Sequence, residues 1–318
     1  MERARYEPFV RGPHEVGAHT HRARDGARRR DFAVEVWSPA NAEDVAHPLV
    51  LFSHGTGGGR CMASYLCTHL ASHGYVVASM DHSERTAPEL ARKAEESAAE
   101  RRARIAAWIA QRVPDVRFLL DAVLDGDLLG AGPRVDPGRV GIVGHSFGGW
   151  TALAATGSDP RIRAVVALAP GGSSSPKPGM IAAPLSFAWG RPVPALYLVG
   201  EDDVMTSLAG VRELLERTVP PKRMVVLRRA DHEHFMDDAE RMHELVRAAK
   251  WTGDLAWIPD EMRPITELCS GEAAHDFVRG LALAHFDATL RDDEGAAAFL
   301  RGDLASELGA RGIEVQPT

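Results

Sequence analysis

Arg139-Val140-Gly141-Ile142-Val143-Gly144-His145-Ser146-Phe147-Gly148-Gly149-Trp150 is the stretch whose reading decides the fold. Val140, Ile142 and Val143 are β-branched and apolar, and they read as a short buried strand. Gly144-His145-Ser146-Phe147-Gly148 is a G-x-S-x-G, and Trp150 to Ala155 opens a helical pattern. Strand, sharp turn, helix is the setting in which this motif makes a nucleophile elbow. The flanking glycines matter because a Cβ at either would strike the strand or the helix, and the serine itself takes a strained backbone conformation. Its hydroxyl then stands clear of the sheet.

Outward from the elbow the pattern repeats. Residues 47–52, 75–80, 162–168, 195–199 and 224–227 are short apolar runs that read as strands, and residues 31–37 alternate as a strand with one wet face. Helical segments lie between nearly all of them: 61–72, then 88–124 with a break expected at Pro114. Strands alternating with helices predict a mostly parallel central sheet with helices on both faces. Residues 272–290 read as one further helix, with Phe277, Leu281, Ala284 and Ala288 on one side. The expected organisation is a single α/β domain over residues 1–318, in which 250–318 form a C-terminal helical extension packed on it. That extension has three roles open to it: covering the sheet, roofing the pocket or making a homodimer contact.

The chain has 318 residues, 45% hydrophobic and 25% charged, with a net charge of −7. Nothing in this balance points to nucleic acid, and the arginines from Arg22 to Arg30 are interspersed with acids, as on a solvated face. Residues 1–10 show no apolar leader core, and no run approaches the roughly 18 apolar residues of a membrane span. Three cysteines, Cys61, Cys67 and Cys269, form no paired framework and suit a reducing cytoplasm. The expectation is a cytoplasmic protein with a small-molecule partner, no nucleic acid and no membrane.

A serine hydroxyl near neutral pH needs a base, and the base needs an orienting acid. Downstream of Ser146 the strand 195–199 runs into Gly200-Glu201-Asp202-Asp203, and the strand 224–227 runs into Asp231-His232-Glu233-His234. Carboxyl ends of parallel strands are where open α/β sheets carry their sites. Asp203 is the favoured acid, with Asp202 the alternative and a helix N-cap the non-functional reading. His232 is the favoured base, with His234 the alternative. A His-x-His metal pair is a weaker reading, as it is for His19 and His21, because no third ligand is near; no metal and no cofactor are expected. Ser53-His54-Gly55-Thr56-Gly57-Gly58-Gly59 follows another strand and reads as an oxyanion loop, with the backbone N–H groups of Thr56 and Phe147 as donors. A phosphate-binding loop would need a lysine that is absent here. His145, Trp150, Phe187 and Trp189 are the expected pocket residues; Met180, Ile181, Leu185, Phe187 and Trp189 lie between two strands beyond the elbow and either line an acyl pocket or fill core. A neutral His232 is required, so the rate should rise through its titration near neutrality.

These residues resemble an α/β-hydrolase of the platelet-activating-factor acetylhydrolase and dienelactone-hydrolase-like group. The similar stretches are L-F-S-H-G-T-G-G-G-R, L-A-S-H-G-Y-V-V-A-S-M-D-H-S-E-R, V-G-I-V-G-H-S-F-G-G and R-A-D-H-E-H-F-M-D, spread from Asp31 to Asp238. The resemblance implies the α/β-hydrolase fold and a serine carboxylic-ester hydrolase. Two departures qualify it. In the mammalian acetylhydrolases the acid follows the strand after the elbow, whereas here that strand ends Ala167-Leu168-Ala169-Pro170 and the acid must come from the next one. Dienelactone hydrolases proper use a cysteine where this chain has Ser146. Thioester hydrolysis or acyl transfer by the same residues, and a non-catalytic binding protein on the same fold, are the alternatives.

Overall fold

In the computed structural model, which describes residues 5–317 apart from 41–44, 94, 127 and 131, eight strands form one sheet. They are β1 (Val16–Asp25), β2 (Arg30–Pro39), β3 (His47–Ser53), β4 (Val76–Met80), β5 (Val135–His145), β6 (Ile162–Leu168), β7 (Ala195–Gly200) and β8 (Lys222–Leu227). Their spatial order is β1-β2-β4-β3-β5-β6-β7-β8, antiparallel from β1 through β4 and parallel from there on. The helices are α1 (Ser64–Ser72), α2 (Ser83–Thr86), α3 (Ala98–Leu124), α4 (Phe147–Ser158), α5 (Leu208–Arg217), α6 (Ala239–Ala248), α7 (Ile258–Glu261), α8 (Gly271–Leu290), α9 (Glu294–Arg301) and α10 (Leu304–Gly309).

The two-residue period of a strand divides the core between the faces. Leu49, Leu51, Val140, Ile142, Val165, Tyr197 and Val199 point to one side, where α3, α4 and α5 pack. Val50, Phe52, Val143, Val166, Leu168, Leu196 and Leu198 point to the other, beneath α1, α8 and α10. Residues 312–317 finish along β8: Arg228 N–H donates to Glu314 O at 2.8 Å and Gln316 N–H to Val226 O at 2.9 Å. The sheet edge is thereby covered against pairing with other chains.

Three expectations change. α3 runs through Pro114 without breaking. Val116, Leu119, Leu120 and Val123 beyond it are buried, and burial worth about 1.5–3 kcal/mol for each large side chain outweighs the roughly 3 kcal/mol cost of an internal proline. β1 was not visible as a strand, because only Ala23 and Asp25 along it are buried and its order comes from backbone pairing with β2. α8 is buried on nearly every side from Leu281 to Asp287. The sheet takes one side and the N-terminal segment the other, so close that a Cβ on Gly280 would sit 2.3 Å from the Phe9 ring. Among the described residues no helix is long and apolar enough to cross a membrane.

Candidate active site

The elbow forms at the carboxyl end of β5. Ser146 has φ 58° and ψ −118°, a region that costs a non-glycine residue on the order of 1–3 kcal/mol. Three backbone bonds hold it there: Ser146 N–H to Leu168 O at 2.9 Å, and Trp150 N–H and Gly171 N–H to Ser146 O, each at 3.0 Å. The glycines are required by close approach. A Cβ on Gly144 would lie 2.1 Å from Gly148 O, and one on Gly148 would lie 1.9 Å from Ser53 O. Gly148→Ala must therefore push α4 away from β3, and the expected destabilisation exceeds the roughly 1–3 kcal/mol of ordinary overpacking. Gly171→Ala, whose new Cβ would meet nothing nearer than Ser146 O at 3.8 Å, should melt within a degree or two of the parent. Thermal denaturation of both variants checks this.

β7 and β8 deliver the acid and the histidine side by side, with Gly200 paired to Leu227. Asp203 Oδ2 accepts from His232 Nδ1 at 2.7 Å, and both residues are 6% exposed. The carboxylate is fixed in turn: its Oδ1 accepts from the N–H groups of Met205 and Thr206, each at 2.8 Å, and its Oδ2 from the Thr206 hydroxyl at 2.6 Å. With Nδ1–H given to Asp203, Nε2 is the nitrogen left to accept a proton. Among the hydrogen bonds of the described residues none joins Ser146 Oγ to His232, a contact that often tightens only when substrate is bound. Asp202 faces outward to Arg263, with 3.2 Å between Oδ1 and NH1. His234 turns away from the cleft, giving one nitrogen to Asp231 at 2.6 Å and the other to Cys269 O at 3.0 Å.

Burial alone would lower the His232 pKa. The Asp203 carboxylate overrides it, with help from Glu233 and Asp231, and the ring is pushed up to about 9. Burial pushes Glu233 up to about 7. Behind them Asp231 is held below the usual carboxylate range because the hydrogen bonds of His234 and His243 outweigh its burial. A base must be neutral to take a proton, so a raised pKa shifts the active form to higher pH. The rising limb of kcat/KM is therefore expected above neutrality, toward pH 9, not at neutrality as the sequence alone implied. In Asp203→Asn the strongest influence opposing burial is gone, and the limb should move to acid. A pH–rate profile of parent and variant measures both; an unmoved limb in the variant would separate His232 from the rate.

Thr56 and Phe147 line the same cleft as Ser146. Phe147 opens α4, where the first N–H groups of a helix have no intrahelical acceptor. Of the expected pocket residues, Trp150 lines the cleft with Met180, Ile181, Ala183, Met205 and Val211. His145, Phe187 and Trp189 do not line it. His145 lies beneath, 1% exposed, with its Nε2–H donated to the His232 carbonyl at 3.0 Å. Phe187 packs under the Arg217 guanidinium and Trp189 against Gly157; large apolar rings in that segment fill core volume that the loop would otherwise leave empty. The loop itself is tied down, with Arg101 donating to Gly179 O at 2.8 Å and Trp257 to Pro178 O at 3.0 Å.

Sequence reading passed over several contributors. The Thr206 hydroxyl touches both Asp203 and His232 Nδ1, the latter at 3.4 Å. His82 bridges Ser53 Oγ at 2.8 Å and Asp115 at 3.2 Å, next to the loop that follows β3. Arg112 is fully buried there too. One signal was available for it: Arg112 stands on the same helical stripe as Val116, Leu119 and Val123, where a charge needs a reason.

A strained serine, a carboxylate-bound histidine and two backbone amides at one sheet end are the parts needed for acyl transfer. The sequence model of a family described as platelet-activating factor acetylhydrolase, isoform II, matches residues 29–117, which include the glycine-rich loop after β3 and end before Ser146. A platelet-activating factor acetylhydrolase of Cavia porcellus is 28% identical over 166 residues, and one of Canis lupus familiaris 27% over 165. In each case the match covers 42% of this chain and 37% of the relative, so the chain spans little over a third of the length of these relatives. The structure of a ferulic acid esterase from Streptomyces cinnamoneus superposes with a TM-score of 0.63 over 90% of this chain and 93% of that one, at 22% identity. The chain has the α/β-hydrolase fold, and over part of its length it is similar to platelet-activating factor acetylhydrolases.

Proposed function

We propose that this protein is a serine carboxylic-ester hydrolase that uses Ser146, His232 and Asp203 and needs no cofactor. The observation that carries the reading is the 2.7 Å bond from Asp203 to His232 Nδ1, made at the same end of the sheet as a strained, cleft-lining serine. Ser146 Oγ attacks the ester carbonyl as its proton passes to His232 Nε2. The tetrahedral oxyanion is held by Thr56 N–H and Phe147 N–H. The alcohol leaves with the proton from His232, giving an acyl-enzyme, and a water activated by the same imidazole releases the acid. The largely apolar cleft wall suits an acyl chain, and the similarity to acetylhydrolases and to a feruloyl-type esterase fold supports an ester as substrate.

A series of p-nitrophenyl esters from acetate to palmitate tests this. Turnover should appear for part of the series, with a burst of up to one p-nitrophenolate per chain where deacylation is the slower step. No release above the spontaneous rate at any chain length would overturn the reading.

A further inference from the structure

Beneath the two oxyanion amides lies one cation that the reaction scheme does not use. Arg112, from the middle of α3, is 0% exposed. Its NH1 donates to the His54 carbonyl at 2.7 Å, two residues before Thr56. The guanidinium carbon lies 4.3 Å from the centre of the Phe147 ring. NH1 also approaches the Thr151 hydroxyl at 3.4 Å, which itself donates to Phe147 O at 2.7 Å. Glu84 pairs with NH2. The pairing is incomplete, since Arg112 Nε and Glu84 Oε2 are buried without partners. A buried ion pair is a poor source of stability and is often replaceable by apolar side chains at no loss. A cation kept at this depth with an orphaned nitrogen calls for a role other than holding the fold.

We propose that Arg112 is the positioning residue of the oxyanion hole, one guanidinium setting the distance between the Thr56 and Phe147 amides. The inference rests on the esterase reading above. The two amides come from different elements, the loop after β3 and the first turn of α4, and each has its own freedom to shift. Arg112 grips the loop through the His54 carbonyl and the helix through the Phe147 ring and Thr151. A planar guanidinium can donate along its edge while stacking on its face, which a lysine ammonium cannot do. The loop is also fixed internally: His54 Nδ1–H donates to Gly55 O at 2.8 Å and His82 N–H to His54 Nε2 at 3.1 Å. Gly55 C=O and Thr56 N–H belong to one peptide plane and point oppositely, so anchoring the carbonyl aims the amide. Arg112 ties that pre-aimed loop to the elbow helix.

The test compares the parent with Arg112→Lys and with the paired variant Arg112→Met/Glu84→Met, which removes both buried charges together. Melting temperature, kcat and KM on p-nitrophenyl acetate, the pH–rate profile, and affinity for a trifluoromethyl ketone that forms an oxyanion with Ser146 are measured. Both variants should fold, with kcat reduced about 10²-fold, the size of effect expected for a displaced donor. KM should stay within threefold, ketone affinity should fall with kcat, and the His232 limb should not move. A folded paired variant with kcat within threefold of the parent overturns the proposal. So does a loss shared between kcat and KM, or one that shifts the pH limb. If the paired variant does not fold, Arg112→Lys decides by the same readings; if neither folds, Arg112 is a requirement of the fold and the proposal fails. Absence of turnover in the parent would instead defeat the esterase reading.

Discussion

Ser146→Ala is expected to lower ester turnover by roughly 10⁵–10⁶, leaving only what binding and the oxyanion donors supply, on the order of 10³–10⁴ over water. The melting temperature should stay near that of the parent. The three bonds that fix the elbow all use backbone atoms of Ser146, and alanine keeps them. The residue lies at the cleft wall and not in either core, so loss of the hydroxyl opens no buried cavity. Steady-state kinetics with a melting curve on the same preparation measures both. A folded variant with near-parental turnover would remove Ser146 from the mechanism.

Asp203→Asn is expected to cost roughly 10⁴ in kcat with the fold retained, the effect of neutralising such an acid in a serine protease. Asparagine can keep one oxygen toward the Met205 and Thr206 amides that now bond Oδ1. It then turns an N–H donor toward His232 Nδ1, which forces the proton onto Nε2, the nitrogen that must be free to accept from Ser146. Asp202→Asn should lose less than about fivefold, because its carboxylate faces an exposed arginine and surface pairs are worth little. Measured on one ester, the two variants are decisive: a dead Asp202→Asn would mean that the acid is one residue earlier, and losses under tenfold in both would place it elsewhere.

Much of the candidate site was legible because its residues sit at strand ends, and strand ends are marked locally. The runs 47–52, 140–143, 195–199 and 224–227 are apolar to their last residue and then break into His54-Gly55, His145-Ser146, Asp202-Asp203 and Asp231-His232. What stayed hidden depends on contacts between distant segments. β1 gains its order from pairing along one edge, which leaves a weak hydrophobic period. Pro114 looked like a helix end because the penalty for proline is local and the burial that offsets it is not. Phe187 and Trp189 look the same in sequence whether they line a cleft or fill a core. Arg112 reads as an ordinary helix charge until α3 lies against the oxyanion loop, and the shift in the His232 pKa exists only once Asp203 is beside it.

Reaction with a fluorophosphonate probe, followed by intact-mass measurement and peptide mapping, tests the central claim most directly, because only an activated serine is phosphonylated quickly. One adduct per chain is expected, on the peptide carrying Gly144-His145-Ser146-Phe147-Gly148, forming faster as pH rises through the titration of His232 and absent in Ser146→Ala. No adduct, an adduct on another residue, or labelling that survives in Ser146→Ala would contradict the account.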